Sequence, residues 1–473
     1  MKKALLTSRL SFFLLTALVI PHFVFAQTYK QSILDTNKVY TIFNNRGSIG
    51  HPATSIAGLI WPWSEQSALP YIREMALLIG GEVLNTQGDT IHIINDGFYL
   101  TSDGDYEPGT ANPWGWLPLP GFDNPNSNRV AISDDPTTWN PSWQAWPGKH
   151  GSGILRADLE TLWVMNDSSN AEFDYYPLAN DSSFRGLGIE VSCRGYQWDT
   201  PNFEDFIIFT CEIKNISDKP LNKLTVGFFG DPTIGGTNDF SDDDSGYDLN
   251  ENLMYCWDHD GIGDGGIIPG YLGFVTLDSP DNVGLTSAVS VFFGGNNRPK
   301  NDSMMWNFMT PGLTSILSQP ADFVIVFGSG YFSLQIGETK TYSIACVLGT
   351  DLADLLDNVQ ESRNAYTIVT SLNNSDLQGV TTGFSLYANY PNPFNPSTRI
   401  SYEIPKTTYV RLTIYNTLGQ LIRTLVNSRQ VAGLKSAVWD GRDQAGNVVS
   451  SGIYIYRLQV GEFTQSRKML LLH

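Results

Sequence analysis

The sequence predicts a mainly β protein: an antiparallel β-sandwich body with one helix at its C-terminal end, followed by a small immunoglobulin-like β-sandwich. Three observations support this. Gly 44 and Pro 25, with only 16% charged residues, describe a turn-rich chain rather than a helical bundle. Runs of β-branched and aromatic residues at strand length recur between Gly, Pro, Asn and Asp. One late segment, after Asp351, combines a helix cap with apolar residues spaced for a single helical face.

In chain order, residues 1–26 read as a secretory signal. Lys2, Lys3 and Arg9 give the basic start, 10–20 the apolar stretch, and Val24-Phe25-Ala26 the small or apolar residues before a cut. No later segment approaches the apolar length needed to span a bilayer, so no transmembrane segment is expected in the mature chain.

Residues 27–150 are irregular and rich in Trp, Pro, Gly and Asn, and are expected to belong to the body. Within them 65–79 is helix-like, although Pro70 interrupts it. Strands are expected at 90–94 and 97–100, joined by an Asn95-Asp96-Gly97 turn. Residues 151–369 form the sandwich proper, with strands at 206–213, 224–230, 288–293, 322–327 and 342–348. Asp351 then caps a helix whose packed face is Leu352, Leu355, Leu356 and Val359. The polar, small residues 370–383 read as a linker. In 384–473, strands are expected at 399–404, 409–415, 420–426, 435–439, 453–460 and 468–472, punctuated by Gly419, Gly433, Gly441, Gly446 and Gly452.

Charge divides the chain at the same place. Residues 384–473 hold 10 Lys and Arg against 4 Asp and Glu, whereas 27–383 hold 16 against 44. With a net charge of −19 overall, the chain lacks the clustered cations that a nucleic-acid partner demands. Four cysteines, Cys193, Cys211, Cys256 and Cys346, include no CxxC pair. Cys211 and Cys346 lie in apolar runs, and the reading is of buried thiols with at most one disulfide.

The C-terminal motifs occur in a characteristic order. Tyr390-Pro391-Asn392-Pro393-Phe394-Asn395-Pro396 opens the segment, Val410 to Asn416 leads to Leu418-Gly419, and Trp439-Asp440-Gly441-Arg442-Asp443 follows. Ser451-Gly452-Ile453-Tyr454 and the terminal Lys468-Met469-Leu470-Leu471 complete it. This succession, over roughly 384–473, resembles the type A sorting domain of the type IX secretion system and the related Ig-like domain of flagellar hook-capping proteins. The resemblance implies a partner, the type IX secretion machinery, and a destination outside the cell or on its outer surface, reached through the periplasm. In the body, Asp205-Phe206, Lys214-Asn215-Ile216-Ser217, 227–231 and Gly246-Tyr247-Asp248 look like uncharacterised exported β proteins with the same sorting domain, which implies no chemistry.

Two segments of the body are candidate sites. Asp258, Asp260 and Asp264, in Asp-His-Asp-Gly-Ile-Gly-Asp, place carboxylates around glycines as a loop wrapping calcium does. Ile262 and Pro269 occupy positions that an EF-hand fills with ligands, so the loop is not one; a solvated turn is the competing reading. A second acidic cluster, Asp239, Asp242, Asp243, Asp244 and Asp248, lies nearby in sequence. Trp114, Trp116, Trp139, Trp143 and Trp146 either stack on a glycan or fill the core of a loop-rich region, and the second reading is preferred. No HExxH, GxSxG or Walker A pattern occurs, and no catalytic residue is assigned. The expected function is therefore a non-catalytic exported protein that binds a glycan or surface partner. An exported polysaccharide hydrolase is the alternative.

Overall fold

The computed structural model describes residues 29–50, 58–62, 65–97, 107, 109, 114–294, 299, 301–371, 385–387, 389, 392–404, 408–430, 433–461 and 463–472. The expected signal, most of the expected linker, and residues 98–100 of one expected strand lie outside them.

Strand-length apolar runs assemble into two large sheets. The ten-stranded sheet runs Gln31–Leu34, Tyr40–Asn44, Ser48–Gly50, Leu69–Leu84, Leu221–Pro232, Phe323–Leu334, Ser287–Phe292, Thr314–Ser315, with Leu59–Trp61 and Thr90–Asn95 also pairing with Leu69–Leu84. The nine-stranded sheet runs Asp243–Asp248, Leu253–Asp258, Tyr271–Asp278, Thr339–Gly349, Phe206–Asn215, Ile189–Gln197, Leu159–Asn166, Leu117–Pro118, with Ala131–Ile132 beside Leu159–Asn166. Residues from before 150 and from after 220 are thus neighbours in one sheet. Pairing is antiparallel except where Ala288 and Val289 meet Thr314 and Ser315.

The sheets face each other across one apolar core. Met75, Leu77, Ile79, Val226, Phe228 and Phe327 come from one side, and Phe209, Phe274, Tyr342, Ile344 and Cys346 from the other. Phe228 meets Tyr342 at 6.2 Å between ring centres, and Phe274 meets Phe327 at 5.2 Å, joining the layers with stacked aromatics. Each such ring contributes about 1.5–3 kcal/mol by leaving water.

Both outer faces are covered as well. Helix Leu352–Thr370 buries Leu355, Val359, Ala365 and Val369 against Ile208, Val275, Ala345 and Val347 of the nine-stranded sheet. Helix Asp302–Phe308 buries Met305 and Trp306 against Ala76, Leu78, Phe229 and Val324 of the other. The body is therefore four layers: helix, sheet, sheet, helix.

Double coverage explains where the sequence misled. The segment 65–79, read as helix-like, is mostly strand: Leu69–Leu84 sends Met75, Leu77 and Ile79 inward and Ala76 and Leu78 outward beneath a helix. Both faces are buried, so the alternation that identifies a strand is missing. Pro70 is tolerated beside a register shift at Leu59/Ile60. Asp351 caps the late helix as expected, its carboxylate accepting from Asp354 N. However, Leu352 and Leu356 are 39% and 41% exposed, and the packed stripe is 355, 359, 362, 365 and 369 instead. Cys211 is joined to Cys193, its direct cross-strand partner, while Cys256 and Cys346 are buried thiols, in keeping with at most one disulfide.

The C-terminal unit is a two-sheet sandwich. Ser385–Leu386, Thr398–Ile404 and Gly433–Trp439 form one sheet; Leu421–Gln430, Thr408–Asn416, Gly452–Val460 and Phe463–Leu471 form the other. It has its own core of Ile400, Tyr402, Ile404, Val410, Leu412, Ile414, Trp439, Tyr456 and Leu458. Strand Gly452–Val460 alternates: Tyr454, Tyr456, Leu458 and Val460 are buried, while Arg457 and Gln459 are exposed. That is the pattern of strands with one wet face. Six expected strands are found here, each within a few residues of its expected limits.

Candidate functional site

The hairpin at the edge of the nine-stranded sheet creates an acidic centre. Strands Asp243–Asp248 and Leu253–Asp258 pair in a register that sets Asp243 opposite Asp258. The preceding loop turns back at Gly235 and Gly236, with φ of +83° and +130° that suit glycine. Asp239 and Asp242 thereby reach Asp258, and ligand oxygens from these three residues lie within 4.8 Å of one another.

Each carboxylate is placed by the backbone. Asp258 is buried; its Oδ1 accepts from Gly261 N, and from Ile262 N at 3.2 Å, which winds the following loop around it. Its Oδ2 is buried and has no hydrogen-bond partner among the described residues. Asp243 Oδ2 accepts from Ile234 N at 3.0 Å, while its Oδ1 is likewise unpartnered, as is Asp239 Oδ2. Burial and neighbouring carboxylates raise the proton affinity of Asp239, Asp242 and Asp243. Burial and then Asp258 push Asp239 up to about 7; burial, opposed by the Ile234 N–H, pushes Asp243 up to about 9; Asp242 is raised by burial and by Asp258.

Of the three residues that the sequence singled out, only Asp258 enters this group. Asp260 is exposed, and its Oδ1 closes a turn onto Ile262 N at 2.8 Å. Asp264 points instead to the 236–238 loop, accepting from Asn238 N and Nδ2, both at 3.2 Å. Asp239 and Asp242 were visible in the sequence only as a separate cluster. The missing signal was the hairpin register, since a turn at 249–252 brings 243 opposite 258 and makes the two clusters one. His259 is turned away, its Nδ1 2.7 Å from Asp244 Oδ2, and that carboxylate raises the imidazole pKa.

The tryptophans do not make one exposed platform. Trp116 and Trp146 are 0% and 2% exposed. Trp116 Nε1 donates to Leu77 O at 3.2 Å, and Trp146 Nε1 to Glu160 Oε2 at 2.7 Å. Trp139 and Trp143 lean on Trp146 with ring centres 5.8 and 6.0 Å away, and Trp139 Nε1 donates to Ile132 O. Trp114 is half-buried. Glu160, the carboxylate beside this group, is fully enclosed and also accepts from Arg156 N. The region lacks broad sheets of its own, and large rings with satisfied N–H groups supply its core.

In the C-terminal sandwich the motif residues act as ties. Phe394, within the proline-rich run, is buried against Trp439 at 5.6 Å, and its backbone bonds to Leu470 O and Leu472 N. Asn392 Oδ1 accepts from Leu470 N at 2.9 Å, and Trp439 Nε1 donates to Arg442 O at 2.8 Å. The start and end of the unit are thereby fastened together.

Residues 396–462 match the FlgD Ig-like domain. Among solved structures the chain is similar to a polysaccharide lyase, with 9% identity and a TM-score of 0.31 over 90% of this chain and 46% of that one. It is similar to FlgD from P. aeruginosa at 22% identity and a TM-score of 0.14, over 19% of this chain and 64% of the other. Dimeric latent PorU from Porphyromonas gingivalis matches at 11% identity and a TM-score of 0.18, over 83% and 40%. The chain spans less than two thirds of each of these proteins. No curated protein matches it. Among the described residues, no helix is long and apolar enough to cross a membrane.

Proposed function

We propose that this is a non-catalytic exported β protein, delivered to the cell surface or the surroundings by residues 384–473 acting as a type IX sorting domain. The single observation behind this reading is that the motifs resembling a sorting domain coincide with the tie points of a sandwich having its own core. A separately cored unit suits a removable label, because its loss leaves the body's core intact. The break in charge at the same place agrees with two tasks in one chain. The body then acts by binding a glycan or a surface partner. The packing of Trp116 and Trp146 in the core takes from polysaccharide hydrolysis the rings that suggested it, and it equally takes stacking on those two rings from the glycan reading.

The test is fractionation and mass spectrometry in a bacterium that has the type IX machinery. The full chain is expected outside the cell, and a chain ending at residue 383 in the periplasm. Equal export of both would sink the reading.

A further inference from the structure

The acidic centre of the body carries an inference independent of how the chain is exported. We propose that Asp239, Asp242 and Asp258 hold one divalent, oxygen-preferring cation, calcium in preference to magnesium, which fastens the 233–243 loop to the 258–264 loop.

Three features of the geometry point to an ion. First, the oxygens converge within 4.8 Å, although like charges at that range repel. Second, Asp258 is 6% exposed, and its inward Oδ2 has no partner among the described residues; Asp243, 2% exposed, presents a second unpartnered oxygen beside it. A buried carboxylate oxygen left unpaired is costly, and a cation satisfies several at once. Third, the space is kept open by the main chain. A Cβ on Gly235 would lie 2.5 Å from Asp239 Oδ2 and 2.7 Å from Asp258 Oδ2, so both oxygens aim at the spot where a side chain is absent.

The donors also choose the ion. All three are carboxylates, and the one nearby imidazole, His259, is bonded to Asp244 instead. Oxygen donors suit a hard cation rather than zinc or copper. They come from one loop and a strand end rather than a rigid octahedral frame, which favours calcium's flexible coordination over magnesium's. Among the described residues, no Lys or Arg forms an ion pair with Asp239, Asp242 or Asp258.

The experiment uses the whole chain. Isothermal titration with calcium chloride, then magnesium chloride, after EDTA treatment and dialysis, is paired with thermal melts. Calcium is expected to bind near 1:1 with Kd on the order of 10⁻⁴ M or tighter and to raise the melting temperature progressively with concentration. Asp239→Asn and Asp242→Asn should each weaken binding at least about tenfold, while Asp260→Asn, outside the cluster, should leave it unchanged. Stability supplies a second readout that a structural role alone would not give. In EDTA, Asp239→Asn should melt above the wild type because one repelling charge is gone; in excess calcium it should melt below. The proposal fails if neither cation binds up to 10 mM (about a hundred times the expected Kd). It also fails if binding survives Asp239→Asn and Asp242→Asn together, which would mean adventitious binding to exposed carboxylates only.

Discussion

The body and the C-terminal sandwich are both antiparallel β structures, yet they bury their strands in opposite ways. In the body each sheet is covered twice, by the facing sheet and by a helix, and strand Leu159–Asn166 is buried at every position. In the C-terminal unit strand Gly452–Val460 turns one face to water, so Tyr454, Tyr456 and Leu458 alternate with Ile453 and Arg457. The body thus draws its stability from continuous apolar layers and must satisfy polar groups that no water reaches. The smaller unit depends on one set of inward rings and on its ties.

That difference can be broken experimentally, beginning with the body's most enclosed charge. Asp167 is fully buried and accepts from Leu187 N, Gly188 N and Ile189 N and from Asn95 Nδ2. Asp167→Ala strands four donors and should cost about 3–5 kcal/mol, lowering the body's melting transition while the sandwich's stays in place. A single transition shifting as a whole would show that the two regions do not fold separately. Trp439→Ala should do the reverse. It removes the largest ring of the smaller core and should cost about 3–5 kcal/mol there, leaving the body transition unmoved in calorimetry.

The helix of the body offers an internal contrast. Leu355→Ala should cost about 2–5 kcal/mol, whereas Leu356→Ala, one position on and 41% exposed, should cost less than about 1 kcal/mol by chemical denaturation. Proton linkage gives an effect that depends on pH. Burial, opposed by hydrogen bonds, raises Asp167 from 3.8 to about 7. The folded body therefore binds a proton that the unfolded chain has lost, and stability falls as pH rises from about 4 to about 7. Asp167→Asn should flatten that part of the pH curve, read as the difference between paired melts. The weakest expected effect lies at the contact between the regions: Arg399 meets Asp357 at 2.5 Å and Glu361 at 3.8 Å. Both Arg399 and Asp357 are partly exposed, so Arg399→Ala should change stability by less than about 1 kcal/mol.

The same difference decided what could be read from the chain. Six strands of the C-terminal unit were legible because alternation and glycine turns both reported them. In the body, 206–213 and 342–348 were found as apolar runs bounded by turn residues. Leu69–Leu84 was not, because burial on both faces erases the period that separates strand from helix. The acidic centre was half legible. Asp258 could be singled out from its local spacing, but Asp239 and Asp242 join it only through a hairpin register and a backward loop, which local spacing does not encode. Trp116 and Trp146 show the converse: a sequence reports that tryptophans cluster, and only packing reports whether their faces are free.

Strand Asp243–Asp248 is also the last strand of its sheet. A sheet border exposes unpaired backbone groups to which any other extended chain can add. Here Asp243 is buried and bridged to Ala321, while Asp244 and Asp248 lie further along the border, so a second copy approaching edge to edge would set these two carboxylates against their counterparts. The acidity that gathers around Asp258 thus has a second consequence a few residues away: like charges on the last strand disfavour a tenth strand borrowed from a neighbour.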